Sequence, residues 1–113
     1  MESNSEKFVQ LVRQNPCLDI VPMVCAAVVQ SDDWAYWKGS FGKPSVEEYV
    51  CVEERIYIKS LDFEEAAEDI YSNWDLDDRR FKDKTEDEIN DMAEAEVEAL
   101  PWRKAIIVFV EEA

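Results

Sequence analysis

The chain has 113 residues, which allows one domain built around a single hydrophobic core. Apolar residues make up 47% of it and there are only two glycines and four prolines, so the composition excludes a disordered acidic tail. The 27 acidic residues outnumber the 12 basic ones and leave a formal net charge of -15. That charge argues against direct binding to nucleic acid or to an anionic membrane surface, and it favours encounter with a basic partner.

The first part of the chain predicts a helix followed by strands. Ser3 and Glu6 have the spacing of a capping box, and the apolar residues that follow predict a helix over 3–14. The nearly continuous apolar run IVPMVCAAVV at 20–29 predicts a buried strand. The segment WAYWK at 34–38 predicts a short strand before a turn that contains both glycines.

The segment VEEYVCVEERIYIK at 46–59 predicts one strand, or a hairpin that turns near the two glutamates at 53–54. Its second half alternates, which places Ile56 and Ile58 on one face and Tyr57 on the other.

An amphipathic helix is predicted next, with Asp62 as its N-cap and Glu65 three residues further on. Apolar residues recur at helical spacing through this segment. The predicted buried stripe is Phe63, Ala66, Ala67, Ile70, Tyr71 and Trp74.

A charged connector, DLDDRRFKDK at 75–84, precedes a second helix. Thr85 and Glu88 form another capping box, and the helix ends before Pro101, because the residue before a proline avoids the helical conformation. Its predicted buried stripe is Ile89, Met92, Ala93, Val97 and Leu100.

The β-branched run AIIVFV at 105–110 predicts a central strand that completes the sheet. The order of elements predicts an α+β fold in a single acidic domain over 1–113. We expect a mostly antiparallel sheet of about four strands with about three helices packed on one side of it.

The acidic charge is concentrated in one third of the chain. Sixteen acidic and four basic residues lie within 62–98, so this segment carries a net charge of -12. The last helix places Asp87, Asp91, Glu94 and Glu98 on one stripe, although like charges at this spacing cost about 0.2–0.5 kcal/mol per pair. The preceding helix has a second acidic face of Glu64, Glu65, Glu68 and Asp69.

Carboxylates on a helical stripe recur every ~4.5–6 Å, a spacing comparable with the ~3.4 Å between phosphates along one DNA strand. Two acidic faces side by side would therefore present a mimic of a phosphate backbone to a basic partner. The alternative is an ordinary solvated surface of an acidic protein.

The aromatic residues Trp34, Tyr36 and Trp37, with Phe41, suggest a second kind of site. Tryptophan and tyrosine are common anchors of protein interfaces, so these residues are candidate contacts for a partner. The alternative is that Trp34 and Tyr36, or Trp37 alone, pack onto the sheet as core. Trp102 is interpreted as a packing residue.

The sequence does not favour an enzyme. Histidine is absent, and no glycine-rich phosphate loop is present. Asp75, Asp77 and Glu86 match three positions of a calcium loop, but Arg79 and Arg80 occupy a ligand position and the turn glycine position. We therefore expect no catalytic residue, no cofactor and no metal site.

The three cysteines, Cys17, Cys25 and Cys51, form no CxxC pair. Their odd number argues against a disulfide framework and for a reducing cytoplasm. Cys25 is expected to be a core residue inside the apolar strand. The N-terminal sequence MESNSEKF has no apolar region of a secretory signal, and no stretch is long enough to span a membrane.

Three stretches together resemble a set of small acidic proteins encoded by phages and prophages of Gram-positive bacteria. They are IVPMVCAAVVQSDDWAYWKGSFGK at 20–43, EERIYIKS at 53–60 and WRKAIIVFVEEA at 102–113. Small accessory phage proteins include many anti-defence factors, and several anti-CRISPR proteins are acidic α+β domains that occupy the nucleic-acid-binding groove of a CRISPR nuclease. The resemblance thus implies an anti-CRISPR type of inhibitor acting in the cytoplasm of the bacterial host.

With the charge pattern, this resemblance leads to the expectation of a DNA mimic that blocks target DNA binding by an RNA-guided nuclease. One alternative is a mimic aimed at another nucleic-acid-binding protein, such as a restriction enzyme or a repressor. Another is a structural or accessory phage protein whose acidic surface is incidental.

Overall fold

The computed structural model describes residues 3–113 as an α+β fold with three helices and a mixed sheet of five strands. The helices are α1 (Asn4–Gln14), α2 (Lys59–Ser72) and α3 (Glu86–Glu98), and the strands are β1 (Ile20–Val24), β2 (Gly39–Phe41), β3 (Ser45–Val52), β4 (Arg55–Ile58) and β5 (Arg103–Glu112). The α+β class is confirmed.

The observed sheet differs from the prediction in its number of strands, which is five rather than about four, and it is mixed, because one of its pairs is parallel. Strand β1 pairs with β5 in parallel, from Ile20 opposite Ile106 to Val24 opposite Val110. A parallel pair needs a long connection between its strands, and here most of the chain lies between them. Pairing at such a separation has no local signal in the sequence.

The described chain divides into two compact units, which we describe separately. The first comprises the described residues through Glu47 together with Lys104–Ala113, and the second is Glu48–Arg103. A single domain stays a prediction.

Strand β5 is the centre of the first unit, as its β-branched sequence predicted. It pairs with β1 in parallel and with β2 in antiparallel orientation. Residues 105–108 are buried, and Ile106 and Ile107 are completely so. Helix α1 begins as predicted, with the Ser3 hydroxyl accepting a hydrogen bond from the N–H of Glu6.

The apolar run at 20–29 is not one buried strand. It divides into β1 and a 3-10 turn at Ala26–Val28, and within β1 the side chains of Ile20 and Val24 are exposed. The carbonyl of Asp19 accepts a hydrogen bond from β5, and the N–H of Cys25 donates one to β5. Because the main-chain polar groups of successive strand residues point to opposite edges, the backbone nitrogen of Pro22 faces the edge away from β5. Pro22 has no N–H to donate, which suits a strand that is paired along one edge.

The strand predicted at 34–38 is also wrong, since the short strand begins later, at Gly39. A Cβ atom at Gly39 would lie 2.3 Å from Cγ1 of Val110 on β5. The absence of a side chain therefore lets β2 approach β5, whereas the bulky residues before it lie outside regular structure.

The second unit begins with the predicted hairpin, in which β3 and β4 pair from Tyr49 opposite Ile58 to Val52 opposite Arg55. Glu53 has a positive φ of 57° in the turn. Within β4, Ile56 is exposed, whereas Tyr57 and Ile58 are both buried.

Helix α2 begins at Lys59, three residues before the predicted N-cap. Asp62 instead lies inside the helix, and its Oδ2 accepts a hydrogen bond of 2.8 Å from the N–H of Ile58, the residue that precedes the first turn. The capping interaction is thus made from within the helix rather than before it. Helix α2 ends at Ser72, so Trp74, which was predicted as the last residue of its buried stripe, lies beyond the helix.

Helix α3 is confirmed, with the Thr85 hydroxyl accepting from the N–H of Glu88. Its buried residues are Ile89, Ala93 and Val97. The core of the second unit joins both helices to the hairpin; it comprises Val50, Tyr57, Ala66 and Val97, with Phe63, Ala67, Ile70, Leu100 and Trp102 packed against them. Trp102 is a packing residue as predicted.

Candidate partner-binding surface

The acidic stripe lies on α3, opposite the residues that the helix buries. Asp87, Asp91, Glu94 and Glu98 are all exposed. Within residues 3–113, the first three of these make no ion pair, so their negative charges are not compensated.

Glu98 differs from the rest of the stripe because Lys59 neutralises it. The Lys59 Nζ atom lies 2.9 Å from Oε2 of Glu98, and it also lies 5.7 Å from the centre of the Trp102 ring. The hydrogen bond to Glu98 raises the pKa of Lys59. The uncompensated part of the predicted stripe is therefore Asp87, Asp91 and Glu94.

Helices α2 and α3 form an open groove of about 320 Å³ on the second unit. Its carboxylates come from Glu64 and Glu68 on α2 and Glu94 on α3. The groove is completed by Ala67, Tyr71, Asn90 and Ala93. The structure thus joins part of the two predicted acidic faces along one groove.

The other half of the predicted face on α2 is neutralised by Arg55 of β4. The guanidinium donates to Oε1 of Glu65, and its Nη1 donates to Oδ2 of Asp69 at 2.7 Å. The hydrogen bond to Glu65 is the main cause of the raised pKa of Arg55. Glu65 and Asp69 are therefore less available to a basic partner than Glu64 and Glu68.

Tyr57 belongs to the same network, because its hydroxyl donates to Oδ2 of Asp69 at 2.5 Å. Burial of the ring, followed by this hydrogen bond, raises the pKa of Tyr57. Our interpretation of the sequence missed the role of Arg55. The sequence does indicate that Arg55 and Tyr57 lie on the same face of β4, because they are two residues apart in a strand.

The aromatic segment of the first unit is largely exposed. Trp34 is 70% exposed, Tyr36 is 92% exposed and Phe41 is 60% exposed, so these residues are not core. Trp37 is half-buried, and its Nε1 is buried without a hydrogen-bond partner among the described residues. Their role as partner contacts stays a prediction.

The cysteines are free thiols. Cys17 and Cys51 are exposed, whereas Cys25 is half-buried and follows the end of β1 rather than lying inside a buried strand. The expected core position of Cys25 is therefore wrong, because the apolar run leaves the strand at Val24.

Residues 3–113 contain no cluster of three carboxylate or cysteine side chains arranged to hold a metal ion. None of the helices in this part of the chain combines the length and the apolar character needed to cross a membrane.

Comparison with known proteins gives no relative: no family model, no curated protein and no solved structure matches this chain.

Proposed function

We propose that this protein is an anti-CRISPR type of inhibitor that binds the basic nucleic-acid-binding groove of an RNA-guided nuclease and blocks target DNA binding. The observation that carries the proposal is the uncompensated acidic surface of α3, formed by Asp87, Asp91 and Glu94. Glu64 and Glu68 extend this surface across the groove to α2.

The physical support is that an unpaired acidic stripe is unfavourable for the isolated helix. Asp87 and Asp91 are one helical turn apart, and Asp91 and Glu94 are three residues apart, so each pair repels. Lys59 and Arg55 show that other acids of this unit do obtain basic partners. A basic groove would supply the missing cations and would gain on-rate from the negative field.

The choice of a CRISPR nuclease among basic partners comes from the resemblance of the three sequence stretches to phage-encoded proteins. An inhibitor of another nucleic-acid-binding protein would use the same surface and is the second candidate. Partner identification separates the two, since loss of the acidic stripe disables both.

The test is DNA cleavage by a guide-loaded type II CRISPR nuclease, with this protein added before or after the DNA. We expect inhibition only when the protein is added first, because the mimic and the DNA compete for one groove. The variant Asp87→Lys/Asp91→Lys/Glu94→Lys should not inhibit.

The matched control is Asp19→Lys/Asp32→Lys/Asp33→Lys, which changes the net charge equally at three exposed residues of the first unit. It should retain inhibition. If the wild-type protein at several-fold molar excess leaves more than one such nuclease fully active, the proposal of a CRISPR target is wrong.

A further inference from the structure

One face of the sheet in the first unit carries exposed apolar side chains. On β1 the exposed residues alternate along the strand; they are Ile20, Pro22 and Val24. Side chains of directly paired residues lie on the same face of a sheet. Val24 is paired with Val110 of β5, and Val110 is paired with Phe41 of β2, so these three side chains form one apolar row across three strands.

The first unit covers the middle of this face but not its border. Ile106 and Val108, which lie on the same face of β5, are both buried. By contrast, the side chains of Val24 and Phe41 are more than half exposed. Within residues 3–113, nothing covers these large apolar groups. We call the exposed residues of this face, Ile20, Pro22, Val24 and Phe41, the apolar border.

The exposed aromatic residues are carried by a loop that begins and ends beside the apolar border. This aromatic loop connects the 3-10 turn to β2. A Cβ atom at Gly39 would lie 2.3 Å from Cγ1 of Val110 and 3.6 Å from Cγ1 of Val28, so the two ends of the loop meet at the apolar row. Trp34 and Tyr36 lie within the loop and are exposed.

These side chains present enough apolar surface for a stable interface. The large apolar residues concerned are Ile20, Val24, Val29, Trp34, Tyr36 and Phe41. Together they expose roughly 700 Å², close to the ~800 Å² that each partner buries in an interface of standard size. Tryptophan and tyrosine also carry a large share of the binding energy of protein interfaces.

The charge distribution indicates what covers this surface. The segments at 20–29 and 105–110 contain no charged residue. The first unit has eight acidic and five basic residues, whereas the second has nineteen and seven. A basic groove would bury unpaired cations against the apolar border, which costs desolvation energy without a compensating ion pair. The occupant must therefore be apolar and nearly neutral, as the same face of a second copy is.

We propose that this protein forms a homodimer through the apolar border and the aromatic loop of the first unit. A contact between two identical patches is isologous, so each copy buries the same side chains and the assembly closes as a dimer. The contact uses no residue of the strongly acidic second unit, which limits the repulsion between the copies. The inference is independent of the proposed function, because it involves neither α2 nor α3.

The test is sedimentation equilibrium of the purified protein over a range of concentrations. We expect twice the mass of one chain above about 100 µM, because interfaces of this size have dissociation constants in the µM range or below. NaCl should strengthen the dimer, since each copy has a net charge of -15 and salt screens their repulsion.

Two variants test the two parts of the surface. Trp34→Ser/Tyr36→Ser changes the aromatic loop, which lies outside regular structure. Val24→Thr/Phe41→Thr changes the apolar border and keeps residues that favour strands. Each should raise the dissociation constant of the dimer at least about tenfold.

The matched control is Leu61→Gln/Leu76→Gln, which removes two exposed apolar side chains from the second unit and should dimerise like wild type. The mass of a single chain at every concentration up to about 500 µM would overturn the inference, because an interface of this size would be formed there. Equal dissociation constants for wild type and both surface variants would overturn it as well. A dimer that NaCl weakens would show an ionic contact in place of the apolar one.

Discussion

At the scale of single residues, Arg55 has the largest effect on the predicted surface. One guanidinium satisfies Glu65 and Asp69, and Asp69 also accepts from Tyr57. The side chain that most changes the local charge of α2 therefore comes from a neighbouring strand. This network ties the hairpin to α2 at the edge of the core, where Tyr57 is buried.

Tyr57 gives the folding stability a dependence on alkaline pH. Its pKa in the folded protein is raised by burial and then by the hydrogen bond to Asp69, whereas the unfolded chain retains the ordinary value near 10. The folded state thus keeps the proton at a pH where the unfolded state loses it. The stabilisation is fully present below pH ~10 and is lost as the pH rises through the folded pKa.

We expect urea unfolding to show a steeper loss of stability above pH ~10 in the wild type than in Tyr57→Phe. Lys59, whose pKa is also raised, contributes in both proteins and cancels in the comparison. Tyr36→Phe is the control, because Tyr36 is a tyrosine that is 92% exposed and lies outside this network. Identical profiles for wild type and Tyr57→Phe would contradict the assigned role.

At the scale of elements, α3 has a favourable N-cap and a buried apolar face, but its exposed face has an unfavourable charge pattern. Thr85 caps its N-terminus, and three apolar residues pack into the core. Asp87, Asp91 and Glu94 nevertheless repel one another on its exposed side. The helix is stable because its cap and its packing outweigh this repulsion.

Removal of the central charge should therefore stabilise the protein. Asp91→Asn relieves the repulsion with the three carboxylates that lie three or four positions away, and we expect the free energy of unfolding to rise by about 0.2–0.5 kcal/mol for each pair. These carboxylates are Asp87, Glu88 and Glu94. Glu96→Gln is the control, since the residues three and four positions away from Glu96 are uncharged. Urea unfolding at low ionic strength measures the stability of both variants. If Asp91→Asn is no more stable than Glu96→Gln, the acidic stripe does not destabilise the folded protein.

The elements also show which features could be predicted from the sequence. The caps at Ser3 and Thr85 and the hairpin turn depend on residues a few positions apart, so local rules find them. The parallel pairing of β1 with β5 and the approach of Gly39 to Val110 depend on residues far apart in the sequence.

The candidate surface also has one part that local sequence rules predict and one part that depends on residues far apart in the sequence. Exposure of Asp87 and Asp91 follows from helical periodicity, whereas the pairing of Glu65 and Asp69 with Arg55 depends on tertiary contact.

At the scale of the whole molecule, the net charge of -15 governs both encounter and self-repulsion. Salt screens both effects, but with opposite consequences for function and for stability. Binding to the proposed basic partner would lose its electrostatic steering, while the folded chain would lose part of its internal repulsion.

We therefore expect NaCl to slow association with the proposed nuclease target, with the rate constant falling severalfold between about 50 and 300 mM. Over the same range the thermal unfolding midpoint should rise or stay constant. Stopped-flow binding and calorimetry check the two effects. An association rate independent of salt would contradict charge-guided binding.

Pro22 at the outer edge of β1 has a further consequence for behaviour at high concentration. The exposed Ile20 and Val24 on either side of it would otherwise make this strand a template for another extended chain. A proline at the midpoint withholds the donor that a growing fibril needs in every layer. Pro22 thus disfavours the edge-to-edge pairing through which concentrated solutions of exposed strands aggregate.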